Sequence, residues 1–185
     1  MGISKPDASS GTIPLCVDLD GTLIRTDMLV ETLILFLKRK PWGVVLLAFW
    51  VLQGRAVVKR RLAERVQFDV AALPYRTEFL DFLREERASG RRLVLATAAD
   101  RLVADKIAGH LGLFDEVIAS EPGSNRKGRA KLAALQQRFP QGFDYAGDSA
   151  ADLPIWKCAR RALLVGAAPR LLKAVGEGPH LERVF

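Results

Sequence analysis

Cysteine is scarce in this chain. Two residues, Cys16 and Cys158, among 185 cannot build the disulfide framework of a small secreted scaffold. Cys16 falls inside an apolar run and reads as a small core residue, so a reducing, cytoplasmic compartment is the expectation. Internal repeats and low-complexity segments are also missing, which excludes a solenoid. The stretch from Met1 to Thr12 is polar and rich in Ser and Gly, without an apolar core of signal-peptide length. Pro6 stands where a myristoylation signal needs Ser or Thr. A loose tail is expected over 1–12.

Acidic residues are missing from one long segment. Between Thr32 and Ala63 there is no Asp or Glu, while the same stretch holds seven Lys or Arg residues. A membrane span needs about 20 apolar residues, and Lys38-Arg39-Lys40 cuts the segment into shorter pieces. Two readings stay open here. The apolar faces bury against one another or against a second copy, making a dimer. Alternatively they lie on an anionic membrane surface at the periphery of the inner membrane. A nucleic-acid surface is set aside, because no aromatics are interleaved with the basic residues.

Hydrophobic residues make up 49% of the chain, and the net charge is +7. This is enough apolar material for one domain with a sizeable core, and the charge suits an anionic partner. Ile13, Leu15 and Val17 alternate with smaller residues and meet no charge before Asp18, as in a buried strand of a parallel sheet. Gly21 breaks that strand, so Asp18 and Asp20 sit at its carboxyl end, on one face of an extended chain. Two acids so close repel unless a cation lies between them, which points to a hard, oxygen-liganded ion such as Mg²⁺.

Downstream, helical periodicity runs from Leu29 to Leu37, from Val44 to Leu52 and over Arg55–Arg65. Thr77–Ser89 reads as an amphipathic helix with Thr77 as its cap and Gly90 as its stop. Leu93-Val94-Leu95-Ala96-Thr97 is a second buried strand ending in a hydroxyl. Helices over Asp100–Leu111 and Ala130–Phe139 alternate with strands over Phe114–Ala119 and Phe143–Ala146. Leu153–Ala159 is a further helix, followed by a last strand over Ala162–Val165 and a last helix over Arg170–Val175. Such alternation argues for an α/β fold with a parallel, helix-covered sheet.

Successive strand ends and one loop therefore carry Asp18 and Asp20; Thr97; Lys127; and Asp148 with Asp152. Singly, each has an ordinary explanation as a turn, a cap or a solvated charge. Together they suit phosphoryl transfer with a metal.

At these residues the chain resembles the haloacid dehalogenase-like superfamily of aspartate-nucleophile phosphatases. Asp18-Leu19-Asp20-Gly21-Thr22 is similar to its first motif, and Thr97 after Leu93-Val94-Leu95-Ala96 to its second. Lys127 matches the third, and Gly147-Asp148-Ser149-Ala150-Ala151-Asp152 the fourth. The resemblance implies a Rossmann-like three-layer sandwich with a central parallel sheet and a small helical cap inserted after the first strand. The core then spans 13–23 and 91–175, the cap 24–90, and a tail 176–185.

It also implies roles. Asp18 is the nucleophile, and Asp20 the general acid and base. Asp18, Asp148 and the main-chain carbonyl of Asp20 hold Mg²⁺, with Asp152 in support. Thr97 and Lys127 bind the phosphoryl oxygens, and Lys131, one turn onward, is the alternative to Lys127. A second acid at Asp20 marks the family's phosphatases and is lacking in its dehalogenases.

A narrower resemblance rests on Ile24-Arg25-Thr26-Asp27-Met28 and on Asp144 to Pro154. These stretches are similar to domains found N-terminal to UbiA-like prenyltransferases. A prenyl-linked or sugar-phosphate substrate and a prenyltransferase partner are thereby implied, the chain being a stand-alone relative or an excised domain. Arg25, Asp27 and the cap aromatics are candidates for substrate selection. The competing functions are a non-catalytic scaffold of the same fold and phosphotransfer to an acceptor other than water.

Overall fold

Strand β1 (Leu15–Val17) has all three side chains fully buried, and the rest of the molecule is arranged on either side of it. It pairs in parallel with β2 (Leu93–Asp100), Leu15 opposite Leu93 and Val17 opposite Leu95. On its other edge it pairs in parallel with β4 (Asp144–Gly147), Leu15 opposite Asp144 and Val17 opposite Ala146. Adding β3 (Glu116–Ser120), β5 (Ala162–Leu164) and β6 (Leu181–Val184) gives a six-stranded sheet, ordered β3-β2-β1-β4-β5-β6 and parallel throughout. The computed structural model describes residues 13–121, 124–176 and 181–185; the tail expected over 1–12 lies outside them.

Because alternate side chains leave opposite faces of a strand, the sheet has two apolar faces. Leu15, Val17, Leu93, Leu95 and Leu163 pack on one side with residues of α4 (Thr77–Ala88) and α5 (Arg101–Leu111). Cys16, Val94, Tyr145 and Leu164 pack on the other with residues of α6 (Arg129–Arg138), α7 (Leu153–Trp156) and α8 (Pro169–Gly176). The result is the three-layer sandwich that the motifs imply. Burying each large side chain of this kind contributes roughly 1.5–3 kcal/mol.

Three further helices, α1 (Met28–Arg39), α2 (Gly43–Leu52) and α3 (Arg55–Arg65), follow β1 as an insertion. They share a small core of Phe36, Leu47, Trp50, Val58, Leu62 and Val66. The Phe36 and Trp50 rings lie 5.5 Å apart. Gly43 permits this approach, since a Cβ there would fall 2.4 Å from the Phe36 ring. Among the described residues, no helix is long and apolar enough to cross a membrane.

Several details differ from the sequence reading, among them the second strand, which runs on to Asp100 so that Thr97 lies inside it and not at its end. Helix α4, grouped above with the cap, buries Phe79, Leu80 and Leu83 in the cluster beneath the sheet. Its first residue is Thr77, and the capping position falls on Arg76 with no side-chain cap bond. The segment read as a tail from 176 contains β6, whose neighbour Phe185 donates its amide to Leu164 O (2.9 Å). The Phe185 ring packs 5.0 Å from Phe79, so main-chain pairing and one aromatic hold this end of the chain.

Candidate active site

The chain moves outward from β1 to β2 and β3, then returns to β4 on the opposite edge of β1. In a parallel sheet this reversal opens a crevice at the carboxyl ends of the strands. A cleft of about 380 Å³ lies there, lined by Asp18, Asp20, Lys131, Asp148 and Asp152 among others. Cap residues Arg25, Asp27, Arg55 and Lys59 face it from above.

Asp18 follows the last residue of β1, and its amide still pairs with Ala146 O of β4 (3.0 Å). Its Oδ1 accepts from the Leu19 amide (2.8 Å) and lies 2.9 Å from Lys131 Nζ. Among the described residues no hydrogen bond is made to its Oδ2. Asp20, two residues on, accepts at Oδ1 from the Met28 amide at the start of α1 (2.8 Å), which fixes its carboxyl under the cap. Between and beyond them the chain turns sharply. Gly21 has φ +77°, and a Cβ there would fall 2.1 Å from Asp148 Oδ2. Only glycine lets this loop press against the acid from β4. Arg76 Nε donates to the Gly21 carbonyl (3.1 Å) and holds the loop in place.

Asp148 and Asp152 arrive from the end of β4 and the short turn after it. Thr22 Oγ1 donates to Asp148 Oδ1 (3.2 Å). Asp152 accepts from the Ser149 amide and hydroxyl and from the Tyr145 hydroxyl (3.3, 3.0 and 2.9 Å). Lys131 Nζ donates to Tyr145 Oη at 2.8 Å and lies 3.6 Å from Asp152 Oδ1. Oxygen atoms of Asp18, Asp148 and Asp152 all lie within 4.8 Å of one another.

The electrostatics follow from this crowding. Burial, abetted by Asp152 and Asp20 and opposed by Lys131, pushes the Asp18 carboxyl up to about 7. Burial likewise raises Asp20 to about 6 against the pull of the Met28 amide. Asp148 is raised by burial and by Asp152. Burial alone would lower the Lys131 ammonium, but Asp18 and Asp152 outweigh it and hold it above its ordinary value. One buried ammonium among these carboxylates leaves the site short of positive charge. The oxygen-only donor set and that deficit both fit a divalent cation such as Mg²⁺.

The family model for haloacid dehalogenase-like hydrolases matches residues 15–157, which takes in β1, the insertion and the acid pair after β4. The chain belongs to that family. A curated relative, the uncharacterized protein y4nM of Sinorhizobium fredii, is 46% identical over 166 residues, covering 90% of this chain and 32% of that protein. The chain thus spans about a third of the relative's length. Among solved structures, a protein of unknown function from Bordetella pertussis Tohama I superposes with a TM-score of 0.67 at 17% identity, covering 91% of this chain and 97% of that one. A phospho-aspartyl intermediate analogue of phosphoserine phosphatase superposes at 0.60 with 14% identity, covering 95% and 94%. At these identities the solved structures show the shared fold.

Within this haloacid dehalogenase-like site, Asp18, Asp20, Asp148 and Asp152 all line one cleft. Three of them, Asp18, Asp148 and Asp152, bring carboxylate oxygens together, while the Asp20 side chain is turned to the cap. Thr97 is fully buried, and its Oγ1 accepts from the Ala99 amide (2.9 Å); Ala98 and Asp100 reach the cleft wall from that strand end. Lys127 is exposed at the cleft, whereas Lys131 is buried against Asp18. Lys127 lies in the loop before α6 and Lys131, four residues on, in its first turn, so spacing alone does not separate them.

Tyr145, Thr22 and Ser149 were missed by sequence reasoning. Tyr145 carried the best available signal, a hydroxyl-bearing ring within the strand that ends in the fourth motif. Lys59 was also passed over as one of a basic run. It donates to the Ala98 carbonyl, and burial lowers its ammonium below the ordinary value.

Proposed function

We propose that the chain hydrolyses a phosphomonoester with Asp18 as nucleophile. One observation carries this reading: Asp18 lies at the floor of the cleft, tied at Oδ1 to Lys131, beside two acids from a distant part of the chain. Asp18 attacks phosphorus and forms an aspartyl phosphate while the phosphorus–oxygen bond to the leaving group breaks, and Asp20 gives its proton to the departing alkoxide. Asp20 then takes a proton from water as that water attacks the acyl phosphate, releasing inorganic phosphate and restoring Asp18. The pull of burial on Asp20, which raises it to about 6, suits a group that must both give and take a proton near neutrality.

Lys131 is assigned the phosphoryl-binding ammonium, in place of Lys127, because it already contacts Asp18. Thr97, fully buried within β2, would support from beneath the strand end whose Ala98 and Asp100 wall the cleft. Asp18, Asp148 and the Asp20 carbonyl would hold Mg²⁺, supported by Asp152. When bound, such an ion offsets charge on the carboxylates and the phosphoryl oxygens. Arg25, Arg55, Lys59 and Lys127 line the outer cleft and favour a substrate with anionic character beyond the scissile group. A sugar-phosphate or prenyl-linked phosphate, the class that the sequence resemblance implies, would carry such charge.

The test is Asp18→Asn, assayed on an aryl phosphate with Mg²⁺ and checked for fold by circular dichroism. Turnover is expected to fall at least about a thousandfold, as when other covalent nucleophiles are removed. A folded variant that keeps its activity would end the assignment and favour a scaffold role.

A further inference from the structure

We propose that the outer face of α2, with the cations at its two ends, docks the protein on an anionic lipid bilayer surface. One face of this helix is accounted for: Gly43, Leu47 and Trp50 are buried in the cap. The opposite face is not. Val45, Phe49 and Leu52 are 73%, 61% and 87% exposed, and Trp42 just before the helix is 88% exposed. Single exposed apolar residues are ordinary, but a contiguous set on one helix marks an interaction surface.

Length and charge select the occupant. A ten-residue helix is about 15 Å long, half of a hydrocarbon core, so it can lie in an interface but not cross it. Lys38, Arg39 and Lys40 precede it and Arg55 follows it, with no carboxylate from Thr32 to Ala63. A second copy would bring the same cations and no acid from this stretch to meet them. Anionic headgroups neutralise them directly. From α2 the chain passes through Gln53-Gly54 into Arg55, Ala56 and Lys59, which line the cleft. The docked surface therefore adjoins the cleft mouth. That the cleft there receives a phosphate held at headgroup depth rests on the phosphatase reading; docking itself does not.

The experiment is co-sedimentation with phosphatidylcholine vesicles, with and without phosphatidylglycerol, at low and high salt. Retention is expected on the anionic vesicles alone, with release as salt rises. Replacing Lys38, Arg39 and Lys40 with Gln should weaken partitioning roughly fivefold per cation, and Val45→Asp with Phe49→Asp should abolish it. These side chains are exposed, and the cleft is lined by Arg25 and Asp27 but by none of the cap aromatics, so the variants should keep the parent's circular dichroism and aryl-phosphatase activity. The wild type gives an independent reading. Trp50 and Trp156 are buried while Trp42 is not, so a blue shift of tryptophan emission on anionic vesicles reports Trp42 entering the interface. Protein that stays in the supernatant throughout, binds neutral vesicles equally, or forms a dimer broken by the Val45/Phe49 variant without vesicle retention overturns the proposal. Loss of activity in Asp18→Asn with docking intact separates the two readings.

Discussion

Two regions of this molecule reverse the usual rule of burial, in opposite senses. At the carboxyl end of β1 the chain hides charge: Lys131 and Asp152 are 2% and 1% exposed, with Asp18 beside them. On α2 it does the reverse and shows apolar side chains to solvent. Each reversal costs stability by itself, because buried charge loses hydration and exposed hydrocarbon orders water. Each is also the arrangement that a ligand of complementary character would relieve. A cation and a phosphoryl group suit the first, and a lipid surface the second. Sites recognised this way are found by asking where the fold tolerates what it normally avoids.

The sharpest way to break the first half of that comparison is to remove its cation. Lys131→Ala leaves Asp18 and Asp152 buried without their ammonium, and breaking a buried pair of this kind costs about 3–5 kcal/mol. Urea unfolding should report that loss, and residual aryl-phosphatase activity should fall at least about a hundredfold. Lys127→Ala, on an exposed side chain at the same cleft, should change stability by no more than about 0.5 kcal/mol and lower activity a few-fold. If the two variants trade places, the phosphoryl-binding role returns to Lys127.

The second half is tested on a single helix. Leu47 and Val45 differ by two positions in α2, one facing the cap core and the other solvent. Leu47→Ala should destabilise by about 2–3 kcal/mol, as cavities in small cores do. Val45→Ser should stay within about 0.5 kcal/mol of the parent while weakening retention on anionic vesicles. Equal penalties would show that the outer face of α2 is packed in solution.

What was legible in the sequence follows the same division. The buried strands announced themselves because Leu15, Val17, Leu93 and Leu95 form apolar runs that end in polar residues, and the motif acids stand where those runs stop. Edge strand β6 left no such trace. All four of its residues are exposed, so no alternation marks them, and its place depends on pairing with β5. The membership of α4 was hidden for a related reason. Phe79, Leu80 and Leu83 make an apolar stripe that would suit either cap or core, and only tertiary packing decides. For the candidate site, the meeting of the four acids in one cleft was legible from their places at strand ends, whereas the different surroundings of the two lysines were not. Lys127 and Lys131 are four residues apart, one before α6 and one within it, and what distinguishes their surroundings is Tyr145 and Asp18 reaching Lys131 from β4 and the end of β1.

The smallest expected effect sharpens the charge side of the comparison by titrating it. Asp18 and Asp20 hold their protons more tightly in the fold than in the unfolded chain, the former up to about 7 and the latter to about 6, burial being the main cause. The folded state therefore binds more protons than the unfolded state over this range, and stability declines as pH rises from the ordinary carboxylate value near 4 through those raised values. In a chelator the melting temperature should accordingly drop by several degrees between about pH 5 and about pH 8. Millimolar Mg²⁺ should reverse most of that drop at the upper pH and do little at the lower, where the carboxyls are protonated and cannot serve as ligands. Asp148→Asn should blunt the Mg²⁺ response while preserving the fold. A melting temperature that rises with pH in chelator, or a Mg²⁺ effect of equal size at both pH values, would mean that these acids do not share a cation and that the buried charge serves the fold alone.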